Sequence, residues 1–318
     1  LHLHFINSGF VSIKSLRSLN VPIVWTFRDM WPFTGGCHYS WDCVRYTDFC
    51  GDCPILGSRK QNDLSARIWK RKNEVYPEIS DFYPVAISPW LQRCANASSL
   101  FAERDVGMIW NGVDIDNFVP LPSAQARAEL GLPLDKPILL LGASRASSVL
   151  KGYGKLLEKL SELRAQEVFE VVRFGHVADS DCGLDWVHDL GYISDRNKLN
   201  SVYAAADVFL APSPQEAFGK TVVEALASGT PAIVFDNSGP AEIVNKKNCG
   251  AAVPQGDFGA FALAALAWAK RSHTKPNVEK SCVQRSRDFS DRASARAYIS
   301  LYEQIFSKKS HEFFKPKQ

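Results

Sequence analysis

The chain has 318 residues, 46% of them hydrophobic and 22% charged, more than one core usually holds, so two domains are expected. Thirty-seven Lys and Arg against thirty-four Asp and Glu leave a net charge of +3, too even a balance for an electrostatic footprint on nucleic acid, and a nucleic-acid partner is excluded. The apolar runs Ile138 to Ala143 and Val208 to Ala211 are strand-sized and bounded by turn residues, so nothing spans a bilayer and a soluble, cytoplasmic protein is expected.

The sequence opens Leu1-His-Leu-His-Phe5, with neither an initiator Met nor the basic flank and apolar core of a signal peptide, and reads as an internal start. Strands are predicted at Leu1 to Phe5, Ile23 to Phe27, Pro84 to Ile87 and Gly107 to Trp110. A doubly wound sheet normally has more strands than this, so the N-terminal domain is expected to be incomplete.

Between the second and third of these strands lies Cys37-x5-Cys43-x6-Cys50-x2-Cys53, four thiols within seventeen residues that end in a Cys-Gly-Asp-Cys-Pro turn. Four thiolates suit a closed, structural tetrahedral zinc site; disulfides, or unliganded thiols that pin a loop by packing, stand beside that reading. His38 could replace one ligand, but next to Tyr39 it reads as packed or acceptor-facing. Cys94, Cys182, Cys249 and Cys282 are scattered and read as reduced packing residues, and Asn96-Ala-Ser98 is a chance match to a glycosylation sequon.

Val119-Pro-Leu-Pro-Ser123 stiffens a connection, which puts the boundary near Pro120: a first domain at 1–120, a second at 121–300, and a C-terminal helix or tail at 301–318, basic and frayed from Lys308. From Ile138 onward short β-rich runs alternate with helical stretches, which implies parallel strands with right-handed crossovers. Strands are predicted at Ile138 to Ala143, Val168 to Gly175, Val208 to Pro212, Pro231 to Phe235 and Gly250 to Val253. Helices are predicted at Tyr153 to Leu163, Asp195 to Ala205, Lys220 to Ala227 and Pro240 to Asn245.

The most informative stretch runs from Ser213 to Pro231, where a buried strand gives way to a loop and then a helix. Glu216 falls in the loop and Glu224 inside the helix. The helix start, with Gly219 allowing close backbone approach, offers unpaired amides and a positive dipole end to an anion such as a diphosphate. Carboxylates beside such a site can accept hydrogen bonds from vicinal hydroxyls, so a sugar nucleotide satisfies both halves. After the first strand of this half, Gly142-Ala-Ser-Arg145 and then Lys151-Gly152 place two cations at the carboxyl end of a strand, where doubly wound folds bind ligands. Gly152-Tyr-Gly154 fails as a dinucleotide fingerprint, because Leu157 occupies the third glycine position.

At this point the chain resembles a retaining glycosyltransferase of family 4, the glycosyl transferases group 1. The resemblance rests on Glu216 with Glu224, Arg145 with Lys151-Gly152, Asn111-Gly-Val-Asp114 followed by Phe118, Tyr203-Ala-Ala-Ala-Asp207, and Ser238-Gly-Pro-Ala-Glu242. It implies a GT-B fold, two doubly wound Rossmann-like α/β domains facing across a cleft, with an acceptor-side first domain and a donor-binding second. It further implies that Arg145 and Lys151 hold the donor diphosphate, that Glu216 orients the transferred hexose, that Glu224 binds the ribose, and that the amides of Phe218 and Gly219 complete the cradle. The base pocket is implied near the loop after Gly175 and around Gly191-Tyr192-Ile193. Catalysis is implied to need no metal or other cofactor, with a UDP- or GDP-sugar as donor and a saccharide or lipid-linked acceptor.

Thr26-Phe-Arg28-Asp29-Met-Trp-Pro-Phe-Thr-Gly-Gly-Cys-His-Tyr resembles a signature of polysaccharide-type members. Many relatives carry His-Asp where this chain has Arg28-Asp29, so Asp29 is the expected site residue. Trp31, Pro32 and Phe33 read equally as packing under the loop or as acceptor-facing. Peripheral contact with the inner face of a membrane is carried only by Lys308-Lys309 and the basic tail, which read as solvated charge. Two rivals stand beside the transferase: a catalytically impaired binding or scaffold protein, which Arg28 motivates, and a sugar-nucleotide epimerase, against which the Glu216 to Glu224 set argues.

Overall fold

A computed structural model describes all residues except 8, 146–151, 177–183, 247, 273–276 and 314–318; the side chains of 143–145, 176, 272 and 308–313 also lie outside the description. The chain forms two compact units, Leu1–Asn111 with Ser294–Gln318, and Gly112–Ala293.

In the first unit β1 (His2–Leu3), β2 (Ile23–Phe27), β3 (Phe82–Ala86) and β4 (Gly107–Met108) form a parallel sheet in that order. Two helices not expected from the sequence, α1 (Leu64–Val75) and α2 (Pro89–Ala97), lie between the strands in sequence. Each begins at a side-chain cap: Asp63 accepts from the Ala66 amide at 3.1 Å, and Ser88 from Leu91 at 3.2 Å with Pro89 in the first helical position. The core is aromatic, with Trp25 meeting Phe27 and Tyr76 edge to face and Phe101 meeting Phe27 the same way.

The boundary falls between Asn111 and Gly112 rather than near Pro120, and residues from Ser294 onward belong to the first unit rather than to a domain ending at 300. The reason is the return of the C-terminal helix to the first sheet. The hydroxyls of Tyr298 and Tyr302 bond Thr26 Oγ1 at 2.6 Å and His2 Nδ1 at 2.5 Å, and Ile305 packs with Val24 and Val85.

The second unit holds β5 (Ile138–Arg145), β6 (Glu170–His176), β7 (Val187–Asp189), β8 (Val208–Ala211), β9 (Ala232–Phe235) and β10 (Gly250–Val253). Every pairing in this sheet is parallel and the order is β10-β9-β8-β5-β6-β7. The helices are α3 (Ser123–Leu130), α4 (Tyr153–Leu163), α5 (Arg196–Ala205), α6 (Lys220–Ala227), α7 (Gly239–Val244), α8 (Phe258–Ser272), α9 (Asn277–Ser286) and α10 (Asp291–Phe313), the last crossing the unit boundary. The basic tail expected to fray from Lys308 is helical through Phe313.

Ile138 to Leu141 are completely buried, as a central parallel strand covered on both faces requires. Leu156 and Leu160 of α4 and Phe261 and Ala265 of α8 fill one side of that core. Gly142 is obligatory: a Cβ there would stand 1.8 Å from the Phe174 ring on β6. From β5 the chain moves outward through β6 to β7, then returns to β8 and moves the other way to β10. The order therefore reverses between β5 and β8, and a doubly wound sheet has its ligand crevice at the carboxyl ends of such strands. Among the described residues no helix is long and apolar enough to cross a membrane.

Candidate functional site

A pocket of about 150 Å³ opens at that reversal point, lined by Gly142 at the end of β5, Tyr153 at the start of α4, Ser213 and Glu216 after β8, and Gly219 to Val222 at the start of α6. Two backbone constraints shape it. Gly219 has φ +101°, and a Cβ on it would come 2.8 Å from Pro240 Cγ. The Gly239 amide donates to Glu216 O at 2.9 Å, and a Cβ on Gly239 would come 2.3 Å from Ala217 O. The loops after β8 and β9 thus clasp through glycines that no other residue can replace without backbone movement.

First-turn amides of a helix lack partners within the helix, so the start of α6 presents donors and a positive dipole end to the pocket. Lys220, exposed at that start, adds a full charge. Glu216 is half-buried, and the buried Tyr153 hydroxyl sits near its carboxylate. Burial first, and then Glu216, push the Tyr153 pKa up, which keeps the phenol protonated and able to donate. An anion seat, a hydrogen-bond acceptor and a phenol therefore share one small cavity.

Glu216 and Gly219 line this pocket. Phe218 is buried beside them with its ring edge-on to Phe289. Glu224 is 6% exposed and does not line the pocket; its Oε2 accepts from Tyr203 at 3.0 Å and its Oε1 is 3.6 Å from Lys220 Nζ. Burial raises its pKa, with Lys220 and Tyr203 opposing. Tyr192 is exposed and Ile193 half-buried, and neither lines the pocket; the preceding Gly191 carbonyl accepts from the Gly175 amide at 2.8 Å. The side chain of Arg145, all of Lys151 and the loop 177–183 lie outside the described residues.

The sequence reading missed Tyr153 and Lys220. Tyr153 directly follows the Lys151-Gly152 pair, and Lys220 stands four residues before Glu224, the spacing of a helical ion pair. The other matched runs build the scaffold. Asp207 bonds Arg127 Nη2 at 2.9 Å and the Ile138 amide at 2.6 Å, and Asp114 pairs with Arg196.

At the carboxyl end of β2 in the first unit, Arg28 donates to Asn111 Oδ1 and lies 3.2 Å from His4 Nδ1. The next residue, Asp29, is buried and faces inward: Oδ1 accepts from the Trp31 amide at 2.8 Å and Oδ2 from His38 Nδ1 at 2.7 Å. The carboxylate expected to act at the site therefore serves as the holder of His38, whose half-exposed ring stacks on Phe5 at 5.8 Å. Phe33 is fully buried, Pro32 O accepts from Tyr76, and Lys72 sits 3.9 Å from the Trp31 ring centroid, so these residues pack. Cys37, Cys43, Cys50 and Cys53 are free thiols, and among the described residues no group of three His, Cys, Asp or Glu is arranged to hold a metal ion.

Residues 136–271 match the family described as Glycosyl transferases group 1. Similar proteins include D-inositol 3-phosphate glycosyltransferase 2 of Catenulispora acidiphila, 28% identical over 211 residues, covering 60% of this chain and 48% of that protein. Another is phosphatidyl-myo-inositol mannosyltransferase of Mycobacterium leprae, 25% identical over 287 residues, covering 80% of this chain and 74% of that protein. The chain thus spans about half the length of the first and about three quarters of the second. Among solved structures, sucrose-phosphate synthase from Thermosynechococcus elongatus matches with a TM-score of 0.73 and 22% identity over 96% of this chain and 73% of that one. Anabaena Alr3699/HepE in complex with UDP matches with a TM-score of 0.66 and 17% identity over 92% of this chain and 77% of that one. These likenesses show the fold, the expected GT-B type with two doubly wound α/β domains.

Proposed function

We propose that this chain, a member of the glycosyl transferases group 1 family through residues 136–271, transfers a hexose from a UDP- or GDP-sugar to a saccharide or lipid-linked acceptor with retention of configuration. One observation carries the reading: a helix N-terminus and a carboxylate meet in one pocket at the reversal point of a parallel sheet. A nucleotide sugar presents the two chemistries this pair recognises, a diphosphate and a ring of hydroxyls.

In this reading the diphosphate rests on the amides of Gly219 to Thr221, and Arg145, Lys151 and Lys220 offset its charge. Glu216 accepts hydrogen bonds from the sugar hydroxyls, and Tyr153 donates from the opposite wall. Glu224 is assigned to the ribose, with Tyr203 and Lys220 fixing its carboxylate. As the bond from the anomeric carbon to the diphosphate oxygen breaks, its electrons go to the leaving diphosphate, where the cations and the helix dipole stabilise them. The acceptor oxygen bonds to the anomeric carbon from the face the diphosphate leaves, and its proton passes to the departing diphosphate oxygen. These steps use the chain's own residues and no metal. The printed names of the relatives, an inositol-phosphate glycosyltransferase and a phosphatidylinositol mannosyltransferase, support a phosphorylated or lipid-linked acceptor, and the UDP in Alr3699/HepE supports the donor class.

The test is to incubate the chain with UDP-glucose or GDP-mannose, with and without added saccharide, and to follow nucleotide release together with the anomeric proton of the product by NMR. Nucleotide release with the donor's anomeric configuration kept is expected. An inverted product contradicts retention, and no release from either donor contradicts the transferase reading.

A further inference from the structure

At the carboxyl end of β2 in the first unit, Arg28 stands without a carboxylate: among the described residues no Asp or Glu pairs with it. Its guanidinium donates to Asn111 Oδ1, beyond β4, and lies 3.2 Å from His4 Nδ1, beyond β1, so residues from opposite edges of the sheet hold it in place. We infer that Arg28 and His4 form an oxyanion seat and that the acceptor saccharide carries the phosphate or carboxylate group that fills it. This deepens the transferase reading and rests on it for calling the ligand an acceptor.

The seat holds a charge that its surroundings do not balance. Asp29, the next residue, turns away, with one oxygen on the Trp31 amide at 2.8 Å and the other on His38 Nδ1 at 2.7 Å. A guanidinium carries five N–H donors in a flat fork, and two neutral partners leave donors over for an oxyanion. Partial withdrawal from water lowers the Arg28 pKa, a penalty on the charged form that a bound anion would offset. Arg28 and His4 are nonetheless exposed, so a ligand can reach both, and carboxyl ends of parallel strands are where doubly wound sheets take ligands.

His4 supplies a second donor. Burial first, and then the Arg28 charge, lower its pKa, so the ring is neutral near neutral pH. With Nδ1 facing the Arg28 N–H, the ring proton sits on Nε2, which meets no acceptor among the described residues. The buried Trp25 donates from Nε1 to His4 O at 2.9 Å and fixes the backbone behind the seat.

The residues adjoining this pair offer a place for a sugar ring. Phe5 follows His4, Asp29 holds His38, and the two rings stack at 5.8 Å with 15° between their planes. Phe5 is 51% exposed, and an aromatic face in water suits the C–H face of a pyranose. A neutral amide at position 28 could tether the loops after β1 and β4 without placing an unbalanced charge there, so tethering alone does not account for an arginine.

The test uses one pyranose in three forms: methyl glucoside, its 6-phosphate, and methyl glucuronide. The chain is first titrated with UDP and GDP, which reads the donor site by itself. With the bound nucleotide kept at saturation so that the donor pocket is filled, each sugar is then added while the His4 ring-nitrogen signals are followed by NMR. At least one anionic sugar is expected to shift these signals saturably and to bind roughly tenfold or more tightly than methyl glucoside. Arg28→Gln should abolish that preference and Arg28→Lys should keep part of it. A response to the phosphate alone assigns a phosphorylated acceptor, and a response to the glucuronide alone assigns a uronate. No anionic preference in the wild-type chain, a comparison that needs no variant to fold, would overturn the inference, as would a preference that survives Arg28→Gln. A chain that binds nucleotide but shows no such preference fails this inference alone. Anionic sugar binding at His4 without binding of either nucleotide would instead keep the seat and count against the transferase reading.

Discussion

Asp29 accepts from His38 Nδ1 at 2.7 Å while its other oxygen caps the Trp31 amide at 2.8 Å, so one buried carboxylate fixes both the imidazole tautomer and the turn that follows β2. Asp29→Ala is expected to release the ring into a mixture of tautomers and to leave the Trp31 amide unpaired, at a stability cost of about 1–3 kcal/mol. Ring-nitrogen NMR and urea unfolding check the two effects. A single unchanged tautomer contradicts the assignment.

Glu216 half-buried in the pocket should discriminate a sugar nucleotide from its bare diphosphate. Glu216→Ala is expected to weaken binding of the sugar nucleotide roughly ten- to a hundredfold while changing diphosphate affinity little, since hydrogen bonds to a charged group contribute about 1.5–3 kcal/mol. Titration with both ligands decides. Equal losses would point to damage of the loop.

Glu224 has a folded pKa above its ordinary 4.5, chiefly through burial. Above that pH the unfolded chain releases the proton before the folded chain does, so the folded state binds more protons and stability falls as pH rises through the window. Glu224→Gln removes this dependence. Urea unfolding of both proteins from about pH 4 to about pH 8 should show wild-type stability falling relative to the variant as pH rises. A relative rise contradicts the raised pKa.

Gly239→Ala would set a Cβ 2.3 Å from Ala217 O, a backbone atom that cannot step aside alone, and would strain the amide bond to Glu216 O. The loop carrying Glu216 must then move. Nucleotide-sugar binding is expected to fall at least as far as in Glu216→Ala, and diphosphate binding with it, because Phe218 and Gly219 share the displaced loop. Normal affinity for both ligands would show that the clasp is not needed.

The second unit was largely legible because its signals are local. Ile138 to Leu141 is a continuous apolar run, and the loop and helix around Glu216, Gly219 and Glu224 stand out once they are taken together with the other runs that carry the family resemblance. What escaped was concealed by residues that contradict their own burial. Helix α1 turns Ser65 and Lys72 inward, so its buried stripe reads as polar. Helix α8 is apolar nearly all round, with Leu263 exposed and Phe261 buried, and shows little contrast to read. Strand β7 is three residues at a sheet edge, two half-buried and the last, Asp189, exposed. The inward turn of Asp29 depends on His38, nine residues on past two glycines, and no periodicity connects them. The domain boundary was misplaced because the prolines near Pro120 are a conspicuous local break, whereas the return of Tyr298 and Tyr302 to Thr26 and His2 is a contact across almost the whole sequence.

The central claim is that the pocket between Gly142, Glu216 and the start of α6 is a nucleotide-sugar site, and calorimetric titration of the chain with UDP and GDP, each with and without its hexose, tests it most directly. Saturable binding selective for one base, tightened by the attached sugar and lost in Lys151→Ala, is the predicted result. Absence of binding to all four ligands would contradict it.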